Sequence, residues 1–469
     1  MAHYNLIVKG GDVVSSTGVS RADVGVVDGT ITAVADLGGD ATADRVVDAA
    51  GQFVLPGVID SHVHPVYEDD LARASRAGAS GGVTTIIAFV AAFPSWGFPK
   101  TTPSAVVEEY IRTWDGKPMT DFALHVAFDN TDDSEAEVPK LIDLGVTSFK
   151  FFMAYPRRNM MVDDAHLITG LEAVGKAGGV AAVHAENGSG IDHLESQYWD
   201  DDEVDNSRFL ECHTHLFETE AVLRVIALAE AVGCPLYIPH LAVAEGIDVV
   251  QLARKTARVP VWVETCPHYL ELTNDEVIKR GALSKIAPPI RLEKDNERLW
   301  AALADKDVQT VGTDHGAQTI ERKAKGKNVL QAPYGAEGIE HLLPLVYGRG
   351  VAAGRIDIQR LAAVLAENPA DIFGLDKKGR IAVGKDADIV VLDPAGHTKC
   401  TIEDHVSTGD YCLYEGHEMP GHVRYTIRRG ELMLDDGKLA ENGTGGKFLK
   451  RVPIGKRPLP LVDGIVANA

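Results

Sequence analysis

Cysteine is scarce in this chain of 469 residues: Cys212, Cys234, Cys266, Cys400 and Cys412 form an odd, scattered set with no CxxC pair. In a chain of this size that argues against a disulfide framework, and a reducing cytoplasm is the expected compartment. Also missing is any run approaching the roughly 20 apolar residues of a membrane span. The opening MAHYNLIVKGGDVV lacks the basic and apolar regions of a signal peptide, so no export is expected, and Asn442-Gly443-Thr444 reads as a chance sequon. Positive charge is short as well. Lys plus Arg number 46 against 68 Asp plus Glu, a formal net charge of −22, which repels nucleic acid and anionic membrane surfaces. The expected partner is a small molecule.

What is present is apolar material, 45% of residues, enough for a barrel-sized core and a second domain. From residue 4 to about 53, short β-like runs (NLIVKG, ADVGVV, ITAVAD, RVVDA) are separated by Gly and Asp, as in a small antiparallel sheet. The texture returns after residue 380 in GRIAVGKDADIVVLD and HVRYTIRRGELML. Segments 1–53 and 380–469 are therefore expected to build one discontinuous β-sandwich domain around an insert, 54–379. Within the insert eight apolar runs follow one another: FVLPGVIDSHVH, VTTIIAFV, FALHVAF, TSFKFFM, GVAAVHAE, PLYIPHLA, VPVWVETC and VQTVGTDH. Helix-like stretches such as SAVVEEYIRTW, DAHLITGLEAVGKAG, ETEAVLRVIALAEAVG and EGIDVVQLARKTA lie between them. Eight alternations of this kind predict an α/β fold, a (β/α)₈ TIM barrel.

Polar groups interrupt those runs near their ends. His62 and His64 finish the first, Lys150 lies in the fourth, His184 in the fifth, His240 in the sixth and Asp314 in the eighth. A strand's period of two sends His62 and His64 to the same side, and barrel strand ends meet at one C-terminal mouth. A lone strand histidine is usually a hydrogen-bonded structural group; six such positions in register point to a two-metal hydrolase. Imidazole with carboxylate suits zinc, and also manganese, iron, nickel or cobalt.

Taken with LPGVIDSHVHP, SFKFFMAYP, VHAENGSGID, VETCPHYLELT, IAPPIR, GTDHG and GRIAVGKDADIVVLD, in that order, these residues resemble the amidohydrolase superfamily, specifically its hydantoinase, dihydropyrimidinase and allantoinase branch. The resemblance covers nearly the whole chain. It implies that His62, His64 and Asp314 bind one metal, that His184 and His240 bind a second, and that Lys150 bridges both as a carbamate formed with carbon dioxide. Phe149, Phe151 and Phe152 suit the burial such a lysine needs. It further implies ring opening of a cyclic amide, hydantoin-like or a related imide or ureide, by a water activated between two metals. Asp314 would act as base and then acid, and the Tyr155 hydroxyl would donate to the oxyanion. Relatives of this kind are commonly homotetramers, and the basic, Pro-rich tail GGKFLKRVPIGKRPLPLVDG is expected to reach across a subunit contact.

Backbone groups at Ala287 and Tyr334 fall where the branch holds the ring amide, although its members often carry Ser and Asn there. The loop FVAAFPSWGFPK offers Phe93, Trp96 and Phe98 as an apolar wall for the exocyclic substituent. His213-x-His215 imitates a metal pair but has no strand to orient it; His268 and His315 read as groups that orient ligands or pack, and His125 as core. Two rival readings are a non-catalytic scaffold, which would be expected to lack ligands, and a dihydroorotase-like amidase, for which Arg157, Arg158 or Arg291 would supply the cation.

Overall fold

The computed structural model of this chain describes residues 2–441, 443, 445–460 and 462–465; Asn442 and Thr444 of the sequon lie outside the described residues. Strands β1 (His3–Ser15), β2 (Gly18–Val27), β3 (Thr30–Ala35), β4 (Thr42–Asp48) and β5 (Phe53–Pro56) precede the barrel. The barrel is β6 (Val58–Val63), β7 (Val83–Ala91), β8 (Asp121–Ala127), β9 (Ser148–Phe152), β10 (Val180–His184), β11 (Leu236–Ile238), β12 (Val261–Thr265) and β13 (Thr310–Val311). These eight pair in chain order, parallel throughout, and a parallel bridge between Val63 and His315 brings the end of the sheet back to its start. Both faces are covered, which is why the strands read as continuous apolar runs and not as alternations. The four stretches with helical periodicity fall in helices Pro103–Trp114, Asp164–Lys176, His215–Val232 and Ala244–Arg254. Thr102, Asp163 and Thr214 cap the first three, each accepting from a backbone N–H of the first turn.

After the barrel, β14 (Ile389–Lys399), β15 (Glu418–Arg428), β16 (Glu431–Asp435) and β17 (Lys438–Leu439) complete a nine-stranded sheet ordered β17-β16-β15-β14-β5-β1-β2-β3, with β4 on β1. The two ends of the chain meet where β5 pairs antiparallel with β14, Val54 opposite Val391. Leu6, Val8, Val24, Ile31, Val54, Ile389 and Ile427 form its core.

Three details differ from the sequence reading. FVLPGVIDSHVH is two strands, because the chain passes from sheet to barrel at Gly57, where a Cβ would collide with Thr84 and Asp388; the small sheet thus extends to Pro56, beyond the expected boundary at 53. The sheet is mixed, since β4 and β5 both run parallel to β1. The tail lies on its own barrel: Phe448 packs on Phe122 with ring centroids 5.7 Å apart, Leu449 N–H donates to Phe122 O at 2.7 Å, and Val462 joins Ile59, Ile87, Trp262 and Phe373 beneath the strands. The floor of an eight-stranded barrel is an apolar surface with unpaired strand starts, and this segment covers it.

Barrel and small domain are joined by a buried ionic cluster. Lys378, 2% exposed, donates to Asp121 at the start of β8 (2.6 Å) and to Asp388 just before β14 (2.7 Å), with Asp386 at 3.0 Å. Lys378→Met leaves the buried Asp388 carboxylate without its cation, while Asp121 keeps Arg429, a change that costs about 3–5 kcal/mol. Chemical denaturation should show a stability loss of that order; a loss under about 1 kcal/mol would mean that the carboxylates find other partners.

Candidate active site

β6 places His62 in the strand and His64 one residue beyond it, β9 carries Lys150 at its centre, and β10 ends on His184. His240 and Asp314 follow β11 and β13 in loops, each with a left-handed backbone (φ 42° and 52°), as does Tyr155 (φ 68°). Non-glycine residues rarely hold that conformation unless the surroundings impose it, and such strain clusters at functional sites. All six expected ligands are brought to one mouth. His62 Nε2 lies 3.2 Å from His64 Nε2, and Asp314 Oδ1 lies 3.1 Å from both. His184 Nδ1 lies 3.1 Å from His240 Nε2, and Lys150 Nζ lies 3.4 Å from that same His240 nitrogen.

The outward nitrogens are fixed by carboxylates the sequence reading did not single out. Glu264, at the end of β12, takes His62 Nδ1 at 2.7 Å, and Glu186 takes His184 Nε2 at 2.8 Å. With the N–H committed outward, the lone pair of each ring faces the centre. Gly312 permits the first contact, since a Cβ there would run into the Glu264 carboxylate and His62. Asp60 accepts from Thr313 N–H (3.0 Å) and Thr313 Oγ1 (2.5 Å), pinning β6 to the turn that presents Asp314. A Glu inside the apolar run VPVWVET was the available signal, because a fully buried carboxylate requires a partner.

Lys150 is fully buried, its Nζ 5.2 Å from the Phe89 ring centroid and 5.1 Å from that of Phe152. Burial pushes its pKa down to about 8, against the pull of Asp314 and Glu264. The expected wall of Phe149, Phe151 and Phe152 is thus corrected. Strand alternation turns Phe149 and Phe151 outward to pack on Phe128, and Phe89 of β7 stands in their place. Burial alone would raise the Asp314 carboxyl, but His62 and His64 override it and hold it well below the usual carboxylate range.

Tyr155, Ala287, Tyr334 and Trp96 line the cavity at this mouth, together with Tyr67, Arg158 and Met160. The Tyr155 ring lies 4.8 Å from His184 and 5.3 Å from Tyr334, and burial raises its hydroxyl well above the ordinary value, which keeps it a donor. Trp96 meets His64 edge-on at 5.2 Å and is backed by Phe93 at 5.3 Å. Phe98 is not at the cavity; it packs on Tyr110 behind the loop, and Met160 occupies the wall with Trp96.

The remaining candidates separate cleanly. His125 is core, bonded to Ser61 O and Ser148 Oγ. His315 links Asp69 at 3.2 Å to the Gly338 N–H at 3.2 Å. His268 is buried with its ring 4.1 Å from Tyr269. His213 stays off that mouth, yet Glu186 connects it to His184, accepting from His213 Nδ1 at 2.9 Å, and Glu195 holds its far side at 3.3 Å; His215 is exposed at a helix start. Arg291 is spent internally on Glu218 (2.8 Å) and the His213 carbonyl. Arg157 pairs with Asp192 at 2.6 Å. Arg158 alone of the three faces the cavity, its guanidinium 4.7 Å over the Tyr334 ring.

The donor set fits metal ions. Two nitrogens each about 2.0–2.1 Å from a tetrahedral zinc lie about 3.3 Å apart, close to the 3.2 and 3.1 Å seen in the two histidine pairs. The family model described as Amidohydrolase family matches residues 53–433. A D-hydantoinase of Ralstonia pickettii is 37% identical, with 95% of this chain and 99% of that protein covered. An L-hydantoinase of Paenarthrobacter aurescens is 33% identical over 96% and 98%. A solved D-hydantoinase structure superposes with a TM-score of 0.90 at 36% identity, covering 96% of this chain and 99% of its own. In fold and along nearly its whole length, the chain belongs to the amidohydrolase family.

Proposed function

We propose that this protein is a hydrolase that opens a cyclic amide, a hydantoin or related imide or ureide ring, to the ureido or amide acid. The observation that carries the proposal is the convergence of His62, His64, His184, His240 and Asp314 on a fully buried lysine, beside a cavity that Tyr155 lines. His62, His64 and Asp314 would hold one divalent ion and His184 and His240 a second, zinc foremost, with Lys150 joining both as its carbamate. When bound, the two ions supply a water made acidic near neutral pH and an electrophile for the substrate carbonyl.

The chain's own groups do the rest. Lys150 reaches the neutral amine form near neutral pH because it is buried, and that amine is what captures carbon dioxide. Asp314 is an anion facing the centre, placed to accept the attacking water's proton and return it to the ring nitrogen, without which an amide nitrogen leaves poorly. Tyr155 remains protonated and donates its O–H to the oxygen that gains charge, a contribution of about 3 kcal/mol. Backbone groups at Ala287 and Tyr334 hold the ring amide. Trp96, Met160 and Phe152 present an apolar wall to a ring substituent. Five free, buried thiols suit a reducing cytoplasm. No helix among the described residues is long and apolar enough to cross a membrane. Assembly as a homotetramer completes the proposal.

Arg158 favours a second reading, a ring bearing a carboxylate, because no carboxylate pairs with it among the described residues while it faces the cavity. One panel decides: aryl hydantoins of both hands, dihydrouracil, allantoin, succinimide, dihydroorotate and hydantoin-5-acetate, offered to zinc- or manganese-loaded protein. Opening of the aryl hydantoins supports the apolar wall, and a preference for the acids supports Arg158. Metal-replete protein that opens no ring on the panel refutes cyclic amide hydrolysis. Within the apolar reading, Trp96→Ala should lower the preference for aryl over unsubstituted hydantoin by tenfold or more in kcat/KM, about 1.4 kcal/mol; an unchanged ratio removes Trp96 from the substituent's surroundings.

A further inference from the structure

Where the small domain meets the barrel, a turn and one connecting loop bring His341, His405 and Cys412 together. One ligand atom from each lies within 4.8 Å of the others. The side chains are buried: His341 is 7% exposed, Cys412 2%, and the His405 side chain 2%. His341 Nε2 stands 3.6 Å from Cys412 Sγ, and its other nitrogen, Nδ1, faces Cys400 Sγ at 3.5 Å. The His341 and His405 rings are parallel within 9°, their centroids 5.6 Å apart.

Neither ring nitrogen of His405 has a hydrogen-bond partner. Glu340 Oε1 is 3.1 Å from Nε2, but that carboxylate is directed to the backbone N–H groups of Val406 and Ser407, at 3.0 and 2.8 Å. A buried imidazole whose Nδ1 has no partner and whose Nε2 meets Glu340 only as an ion-pair contact outside hydrogen-bond geometry keeps bonding capacity that a bound ion would take up. The chemistry of the three groups names its class. A nitrogen about 2.0–2.1 Å and a sulfur about 2.3 Å from one tetrahedral ion lie about 3.5 Å apart, the separation found between His341 and Cys412. Imidazole with thiolate selects zinc and its borderline-soft neighbours over calcium or magnesium.

We propose that His341, His405 and Cys412 bind a divalent metal ion of the zinc class at a site separate from the catalytic centre. Cys412 gives its thiol proton to solvent as the sulfur–metal bond forms, and each histidine donates one ring lone pair. Cys400 holds His341 by its far nitrogen and so fixes which nitrogen faces the ion. A cavity of about 460 Å³ bordered by Glu340, His341 and His405 is the entry path and leaves a fourth position for water. The ligands come from the barrel turn at Ile339–His341 and from the one connection between β14 and β15, so the ion ties the small domain to the barrel. The site owes nothing to the catalytic reading.

The test uses the full chain, stripped by chelator and reloaded with zinc or cobalt. The parent should hold one more zinc per chain than Cys412→Ser or His405→Gln. Cobalt-loaded parent should show a thiolate-to-cobalt charge-transfer band in the near ultraviolet, because none of the proposed catalytic ligands carries sulfur, and Cys412→Ser should lose it. Absence of the band in the parent, its survival in Cys412→Ser, or equal zinc content in parent and both variants overturns the proposal. The parent spectrum stands even if a variant fails to fold.

Discussion

Asp314→Asn is expected to lower kcat about ten-thousandfold, the upper end of what one acid–base group contributes, with KM little changed. Asparagine keeps the size of the side chain and an oxygen to face His62 and His64, but it can neither take a proton from water nor return one to nitrogen. The left-handed turn that presents Asp314, pinned through Thr313 to Asp60, is indifferent to the change, so a folded variant is expected. A substrate whose leaving nitrogen is already acidic should suffer less, because return of the proton matters less to its departure. Steady-state kinetics on zinc-loaded protein of verified metal content checks both points. Retention of more than a tenth of parental kcat would move the base role to another group.

Lys150→Met is expected to cost more than a thousandfold in kcat/KM, about 4 kcal/mol, together with loss of metal. Methionine fills the same slot between Phe89 and Phe152, so the loss reports chemistry and not packing. Intact-mass measurement should find the parent heavier by one carbon dioxide and the variant not. Because burial sets the Lys150 pKa at about 8 and only the free amine captures carbon dioxide, reactivation of stripped protein by zinc at a fixed concentration of dissolved carbon dioxide should speed up as pH rises through about 8 and level off above it. A rate that is flat or falls across that interval contradicts carbamate formation at this lysine. Small carboxylic acids added to a Lys150→Ala variant should restore part of the activity, since they bring a detached anion to the same position.

Much of this is legible in the sequence. A histidine pair spaced by two at the end of an apolar strand can point only one way, and eight apolar runs separated by helical periods admit few folds. The site was less legible wherever it depends on which strand neighbours which. Phe149 and Phe151 flank Lys150 in sequence, yet the pleat turns them outward, and Phe89 comes from a strand two positions earlier. Glu264 and Glu186 become intelligible only once His62 and His184 lie beside them. Met160 stands at the wall where Phe98 was expected, because the conformation of a loop, unlike a strand's, does not follow from periodicity. The split at Gly57 was invisible because both strands it separates are equally apolar.

The pairing of β5 with β14 has a consequence for biosynthesis. When β1 to β5 leave the ribosome, the strand that completes their sheet lies beyond the entire barrel, so the exposed edge of β5 must wait through all of that synthesis. The floor of the barrel waits longer still, for Phe448 and Val462. A nascent chain stalled before those segments therefore presents both an open sheet edge and an uncovered apolar floor, the two surfaces that chaperones hold and that aggregation exploits.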